Sequence, residues 1–214
     1  HSHMVSLAEN IGRRQKGHPG KGIGQKRNVL FRGEITMKKN VVILSASPRR
    51  NGNSDILCDE FMKGATEAGH DVEKIFLADK NIKYCTGCGV CNTTHECVQK
   101  DDMKEILVKL LKADVIVMAS PVYFYTINAQ MKTLIDRIVP QYTSLSNKEF
   151  YFIITAAETD LNMMERSIEC FRGLLDCLEN PTEKGVIYGV GAWQKGEIKG
   201  TKAMKEAYEM GKNV

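Results

Sequence analysis

The sequence lacks any run near the roughly 18 consecutive apolar residues that a membrane-spanning helix requires, and it opens without the charged-then-apolar pattern of a secretory signal. A membrane partner is therefore not expected, and the cytoplasm is the default location. The chain contains no G-x-x-x-x-G-K-[ST] and no G-x-G-x-x-G, which argues against a nucleoside triphosphatase and against a dinucleotide-binding fingerprint. Internal repeats and low-complexity tracts are absent. What is there is a chain of 214 residues, 43% hydrophobic, suited to one domain with appendages.

An excess of charge of one sign is missing over most of that length. The formal net charge is +4, yet residues 1–36 alone carry +5, from seven Lys or Arg against Glu9 and Glu34, which leaves the remainder at −1. The leading segment begins His1-Ser2-His3-Met4 and has no hydrophobic periodicity. It reads as a tag followed by an unstructured leader, with Met37 as the natural start. A nucleic-acid partner would rest on this segment alone and is not expected of the remainder.

From Met37 onward, short β-branched runs alternate with amphipathic stretches, the pattern of βαβ units on a parallel sheet. Strands are expected at Asn40–Ala46, Val72–Phe76, Asp114–Ala119, Phe150–Thr155 and Glu183–Val190. Helices are expected at Ser54–Ala68, Met103–Ala113, Asn128–Val139, Asn162–Leu178 and Thr201–Met210. Five such strands fit an α/β doubly wound parallel sheet of order 2-1-3-4-5 with helices on both faces, whose ligands sit beyond the carboxyl ends of the strands at the switch point. Residues 78–102 interrupt the alternation as a long cysteine-bearing insertion in a domain spanning 37–214, and long loops in compact domains are usually functional.

The loop after the first strand reads Ser45-Ala46-Ser47-Pro48-Arg49-Arg50-Asn51-Gly52-Asn53-Ser54 and runs into a helix. Hydroxyls, a glycine and backbone amides converge there on a helix N-terminus, where the macrodipole favours an anion, so a phosphate monoester fits. The simpler alternative is that Asn53 or Ser54 merely caps the helix. A second motif, Pro121-Val122-Tyr123-Phe124-Tyr125, follows the third strand and offers aromatic faces suited to a flat conjugated ring.

These strings resemble those of the NAD(P)H-dependent FMN reductase and iron–sulfur flavoprotein families, over about Lys39 to Arg137. The resemblance implies a flavodoxin-like fold and FMN as cofactor. It implies that Ser45, Ser47, Arg49, Asn51, Asn53 and Ser54, with Pro48 and Gly52 in the same loop, hold the phosphate. Pro121, Val122, Tyr123 and Phe124 would lie along the flavin ring. Thr155, in the loop after the fourth strand, is a further contact, although that loop lacks the glycines often found there in the family.

Seven cysteines in a chain of this kind point to metal or redox chemistry rather than to a disulfide framework. Cys85, Cys88, Cys91 and Cys97 form C-x2-C-x2-C-x5-C, a spacing that suits the corners of a [4Fe–4S] cluster better than tetrahedral zinc. The segment also resembles the compact cluster motif of iron–sulfur flavoproteins. A metal-free thiol loop bordering the flavin is the other reading. Cys58, Cys170 and Cys177 fall on expected helices and read as small buried apolar residues, and His95 reads as a surface residue.

The resulting expectation is an FMN-dependent oxidoreductase that moves electrons from NAD(P)H or a ferredoxin to a small acceptor such as a flavin, a quinone or an oxygen species. No side chain is named as catalytic, since the redox chemistry belongs to the cofactor. The alternative is an electron carrier or redox-sensing module without turnover, against which the near-neutral charge of residues 37–214 counts. The family resemblance also implies a homodimer or homotetramer.

Overall fold

The computed structural model describes residues 37–214, and the expected tag and leader lie outside the described residues. Among the described residues six strands are present: β1 (Asn40–Ser45), β2 (Asp71–Phe76), β3 (Val115–Tyr123), β4 (Thr126–Ile127), β5 (Glu149–Thr155) and β6 (Thr182–Gly189). The helices are α1 (Asn53–Glu67), α2 (Cys91–Thr94), α3 (Met103–Lys112), α4 (Ala129–Asp136), α5 (Glu165–Leu175) and α6 (Lys202–Lys212). Five strands pair in parallel in the order β2-β1-β3-β5-β6, the doubly wound order expected, and β4 adds a short antiparallel arm to β3.

Alternation along each central strand feeds two cores, as a sheet covered on both faces requires. Val42 and Leu44 enter the core shared with α3, α4 and α5, whereas Val41 and Ile43 enter the one shared with α1 and α6. The second core closes through a tight helix crossing. A Cβ on Gly64 would lie 2.1 Å from the carbonyl oxygen of Tyr208, and one on Gly211 would lie 2.1 Å from that of Phe61, so α1 and α6 touch backbone to backbone.

The third strand runs four residues beyond its expected end and turns back on itself. Val122 pairs with Ile127 and Tyr123 with Thr126, leaving Phe124 and Tyr125 as a two-residue loop with φ of 51° and 61°. Positive φ at both positions is the type I′ hairpin geometry, which normally selects Asn-Gly. Two aromatic residues stand there instead.

The helix expected at Asn162–Leu178 divides into a 3₁₀ turn, Leu161–Met164, and α5, which stops at Leu175. The readings of Cys170 and Cys177 are corrected accordingly. Cys170 is only half-buried, and Cys177 lies past the helix end and is exposed. Cys58 is buried as expected, and burial pushes its thiol far above the usual range.

Candidate functional site

The carboxyl ends of β1, β3, β5 and β6 surround one open cavity of about 890 Å³, within the size range of cofactor sites. Three loops expected to form a site meet in it. Ser47, Pro48, Arg49, Asn53 and Ser54 line it from the first loop, Pro121 to Phe124 from the end of β3, and Thr155 from the end of β5. Ser45, Asn51 and Gly52 belong to the same first loop but do not line the cavity.

Those three residues shape the loop. Ser45 Oγ donates to Asp55 Oδ1 at 2.9 Å, and the Asn51 N–H, at a residue with φ of 55°, donates to Asp55 Oδ2 at 2.9 Å. Gly52 is the N-cap of α1, so the alternative in which Asn53 or Ser54 caps the helix is not what forms. A Cβ at Gly52 would sit 2.5 Å from Ser47 Oγ and 2.9 Å from the Arg49 carbonyl oxygen, so only glycine lets the turn close this tightly. Ser47 Oγ completes the turn by donating to the Arg49 carbonyl at 2.8 Å.

Asn53 reaches the other way. Its amide donates to the carbonyls of Ala192 and Gln194 at 3.2 and 2.9 Å and accepts from the Gly196 N–H at 2.9 Å, which ties the start of α1 to the loop after β6. Its side chain is fully engaged in the scaffold, and what it presents toward an anion is its backbone amide.

The fit of a phosphate rests on two observations. The N-terminus of α1 has no side-chain cap, so no side chain of the protein takes up its first amides. Ser54 Oγ, on the cavity wall, is buried without a hydrogen-bond partner. Buried hydroxyls are rarely left unpaired. An uncapped helix end and an orphan hydroxyl, on a wall that Arg49 also lines, have the chemistry that would suit a phosphate monoester.

Asn128 locks the switch point. Its amide donates to the Ala46 carbonyl at 2.6 Å, its backbone N–H donates to Ser120 Oγ at 3.0 Å, and its Oδ1 caps α4 by accepting from the Met131 N–H at 3.2 Å. One buried side chain thus joins the ends of β1 and β3 to the start of α4. Exposed aromatic residues also line the cavity. Phe124 is 99% exposed and Trp193, from the loop after β6, is 69% exposed. Tyr125 of the second motif and Glu158 of the loop after β5 also line the cavity, as do Trp193 and Met164, which were not anticipated.

The four-cysteine loop stands apart from this cavity. Cys85 and Cys88 are exposed, Cys91 and Cys97 half-buried, and all four thiols are free. Gly87 and Gly89 have φ of 66° and 73°, turns that the successive x2 spacing needs. The Cys91 thiol is pushed up by its partial burial, and the nearby Cys97, Cys88 and Cys85 add to the effect. Among the described residues no three His, Cys, Asp or Glu side chains are gathered closely enough to hold a metal ion. His95 is exposed, at φ 55°.

Both roots of this loop are fastened by one buried ion pair. Arg137 Nη1 donates to Asp101 Oδ2 at 2.7 Å and to the Lys83 carbonyl at 2.5 Å, and Nη2 donates to Asp101 Oδ1 at 3.0 Å. Asp101 also accepts from the backbone amides of Lys83 and Met103 at 3.1 and 3.2 Å. Burial pulls the Asp101 carboxyl upward, but the Arg137 guanidinium and these amides hold it below the usual range.

The sequence profile of the family described as NADPH-dependent FMN reductase matches residues 39–175. An iron–sulfur flavoprotein of Archaeoglobus fulgidus is 46% identical over 94 residues, 44% of this chain and 43% of that protein. Another from Methanocaldococcus jannaschii is 43% identical over 100 residues, 47% of this chain and 52% of its own length. The chain thus spans about half the length of the curated relatives it matches. An NAD(P)H:quinone oxidoreductase from Methanothermobacter marburgensis superposes with a TM-score of 0.62 at 19% identity, covering 83% of this chain and 96% of that one. An azoreductase from Bacillus anthracis gives 0.64 at 16% identity, covering 82% and 100%. These two likenesses show the flavodoxin-like fold.

Proposed function

The chain belongs to the NADPH-dependent FMN reductase family, and on that premise we propose that it is an FMN-dependent oxidoreductase whose flavin occupies the cavity at the ends of β1, β3 and β5. Electrons would enter from NAD(P)H and leave to a small acceptor. The observation that carries the reading is the orphan Ser54 hydroxyl beside the uncapped start of α1, a combination that the oxygens of a phosphate monoester would complete.

When bound, FMN supplies the hydride and single-electron chemistry, so the protein's own task is to bind, orient and shield. Arg49, Ser54 and the first amides of α1 would hold the phosphate, and Ser47, whose hydroxyl is spent on the Arg49 carbonyl, would keep the turn closed around it. Pro121, Val122, Tyr123 and Phe124 would support one side of the ring system, with Thr155 at its polar edge. Asn128 fixes the distance between the two supporting loops, because it is bonded to both strand ends. Positioning of this kind by rigid elements is what keeps a site within productive geometry.

We further infer that the loop Cys85–Cys97 takes up an iron–sulfur cluster. Four thiols and no carboxylate form a donor set of the right chemistry, the glycines permit the turns, and the two relatives are named iron–sulfur flavoproteins. The electron path proposed for turnover needs the flavin site alone.

Oxidation of NADPH and NADH by the FMN-loaded protein, followed by the fall in nicotinamide absorbance with a quinone present, tests the enzymatic reading. Steady turnover of many equivalents per flavin is expected. A single equivalent followed by arrest would instead leave a carrier.

A further inference from the structure

Asp55 brings a problem to the phosphate loop along with its usefulness. Its carboxylate stitches the loop together, accepting from Ser45 Oγ at the end of β1 and from the Asn51 amide in the turn. It also sits, buried, in the first turn of α1, among the amides that an incoming phosphate would use. A phosphate monoester carries about −1.5 to −2 charges near neutral pH. A buried carboxylate so close would repel it, and the repulsion is strong where water is excluded.

Lys74 answers that charge from outside the cavity. It lies on the edge strand β2, in register with Ile43 of β1, and its Nζ is 3.0 Å from Asp55 Oδ1 and also paired with Asp59. Val72, two residues earlier on the same face, packs against the core beneath α1. Packing alone would be served at position 74 by another apolar side chain. Burial pulls the Lys74 ammonium down, but its hydrogen bonds to Asp59 and Asp55 outweigh this and hold it above the usual lysine range, so it stays charged.

We propose that Lys74 is a positioning residue for phosphate recognition: it neutralises Asp55, allowing the carboxylate that shapes the loop to coexist with a bound phosphate. The inference rests on the loop being the FMN phosphate site. It predicts that Lys74 discriminates between FMN and riboflavin, which differ only in the phosphate, without touching either.

The test is titration of the apoprotein with FMN and, separately, riboflavin, followed by quenching of flavin fluorescence, in wild type, Lys74→Met, Lys74→Arg and the double variant Lys74→Met/Asp55→Asn. Lys74→Met is expected to weaken FMN binding by about tenfold or more, within the worth of a charge at a partly buried helix end, and to leave riboflavin binding within about twofold. Lys74→Arg should keep FMN affinity, and removing the carboxylate in the double variant should recover most of what Lys74→Met loses. Should Lys74→Met not fold, Lys74→Gln and the neutral double variant carry the same comparison. Equal losses for both flavins, or no loss for FMN, would overturn the inference while leaving the site reading intact. A wild-type protein that binds riboflavin as well as FMN would overturn the phosphate-site reading itself.

Discussion

Arg137 and Asp101 face each other through two hydrogen bonds in the interior, their side chains 2% and 0% exposed, and between them they grip both ends of the four-cysteine loop. Removing one member of a buried pair strands the other charge, which costs about 3–5 kcal/mol. Arg137→Leu should therefore lower the midpoint of denaturant unfolding and open the segment between Lys83 and Asp101 to proteolysis. A variant as stable and as protease-resistant as wild type would show that the clamp is dispensable.

The same pair predicts a pH dependence. Asp101 is held below its unfolded value, so its contribution is complete above the unfolded carboxylate's pKa of about 3.9 and is lost as pH falls through the lower folded value. The stability difference between wild type and Asp101→Asn, measured by urea melts from neutral pH downward, should shrink only in that acid window. A gap that stayed constant through it would contradict the assignment.

The hairpin tip Phe124-Tyr125 breaks a local rule, since bulky side chains occupy two left-handed positions and Phe124 packs on almost nothing. Such strain costs on the order of 1–2 kcal/mol per residue and persists where function requires it. The double substitution Phe124→Asn/Tyr125→Gly, the sequence a type I′ turn prefers, should raise the apoprotein's melting temperature and weaken flavin binding. Stabilisation without any loss of flavin affinity would show that the aromatic tip serves something other than the flavin.

How much of this was legible beforehand follows the physics of each feature. The β1 run Val41–Leu44 is buried on both faces, and such a run announces a central parallel strand directly. The hairpin at Phe124-Tyr125 was hidden because nothing in those residues signals a turn. Pairs such as Arg137 with Asp101, 36 positions apart, and Lys74 with Asp55, 19 apart, leave no periodic trace in the chain. Trp193 went unnoticed because it stands in the loop after β6, beyond the segments that carry the family motifs. The family resemblance implies Asn53 as a phosphate ligand, and only the fold reveals that its side-chain amide spans to Ala192 and Gln194.

The cysteine loop makes its own prediction. Anaerobic reconstitution with iron and sulfide should load about four of each per chain, as a [4Fe–4S] cluster requires, and Cys88→Ser should lower that content sharply. Iron and acid-labile sulfide near zero in both proteins would leave a thiol loop without a cluster. Cys58, buried with its thiol pushed far up, should resist alkylation in the folded protein, while Cys85, Cys88 and Cys177 react.

The central claim is that the loop after β1 holds the phosphate of FMN, and fluorescence titration of the apoprotein with FMN, wild type against Ser47→Ala/Arg49→Ala, tests it most directly. The charge-assisted hydrogen bond lost with Arg49 should cost about 1.5–3 kcal/mol and the turn that Ser47 closes is lost with it, so the double variant is expected to bind FMN at least tenfold more weakly while keeping its fold by circular dichroism. An unchanged FMN affinity in that variant would contradict the account.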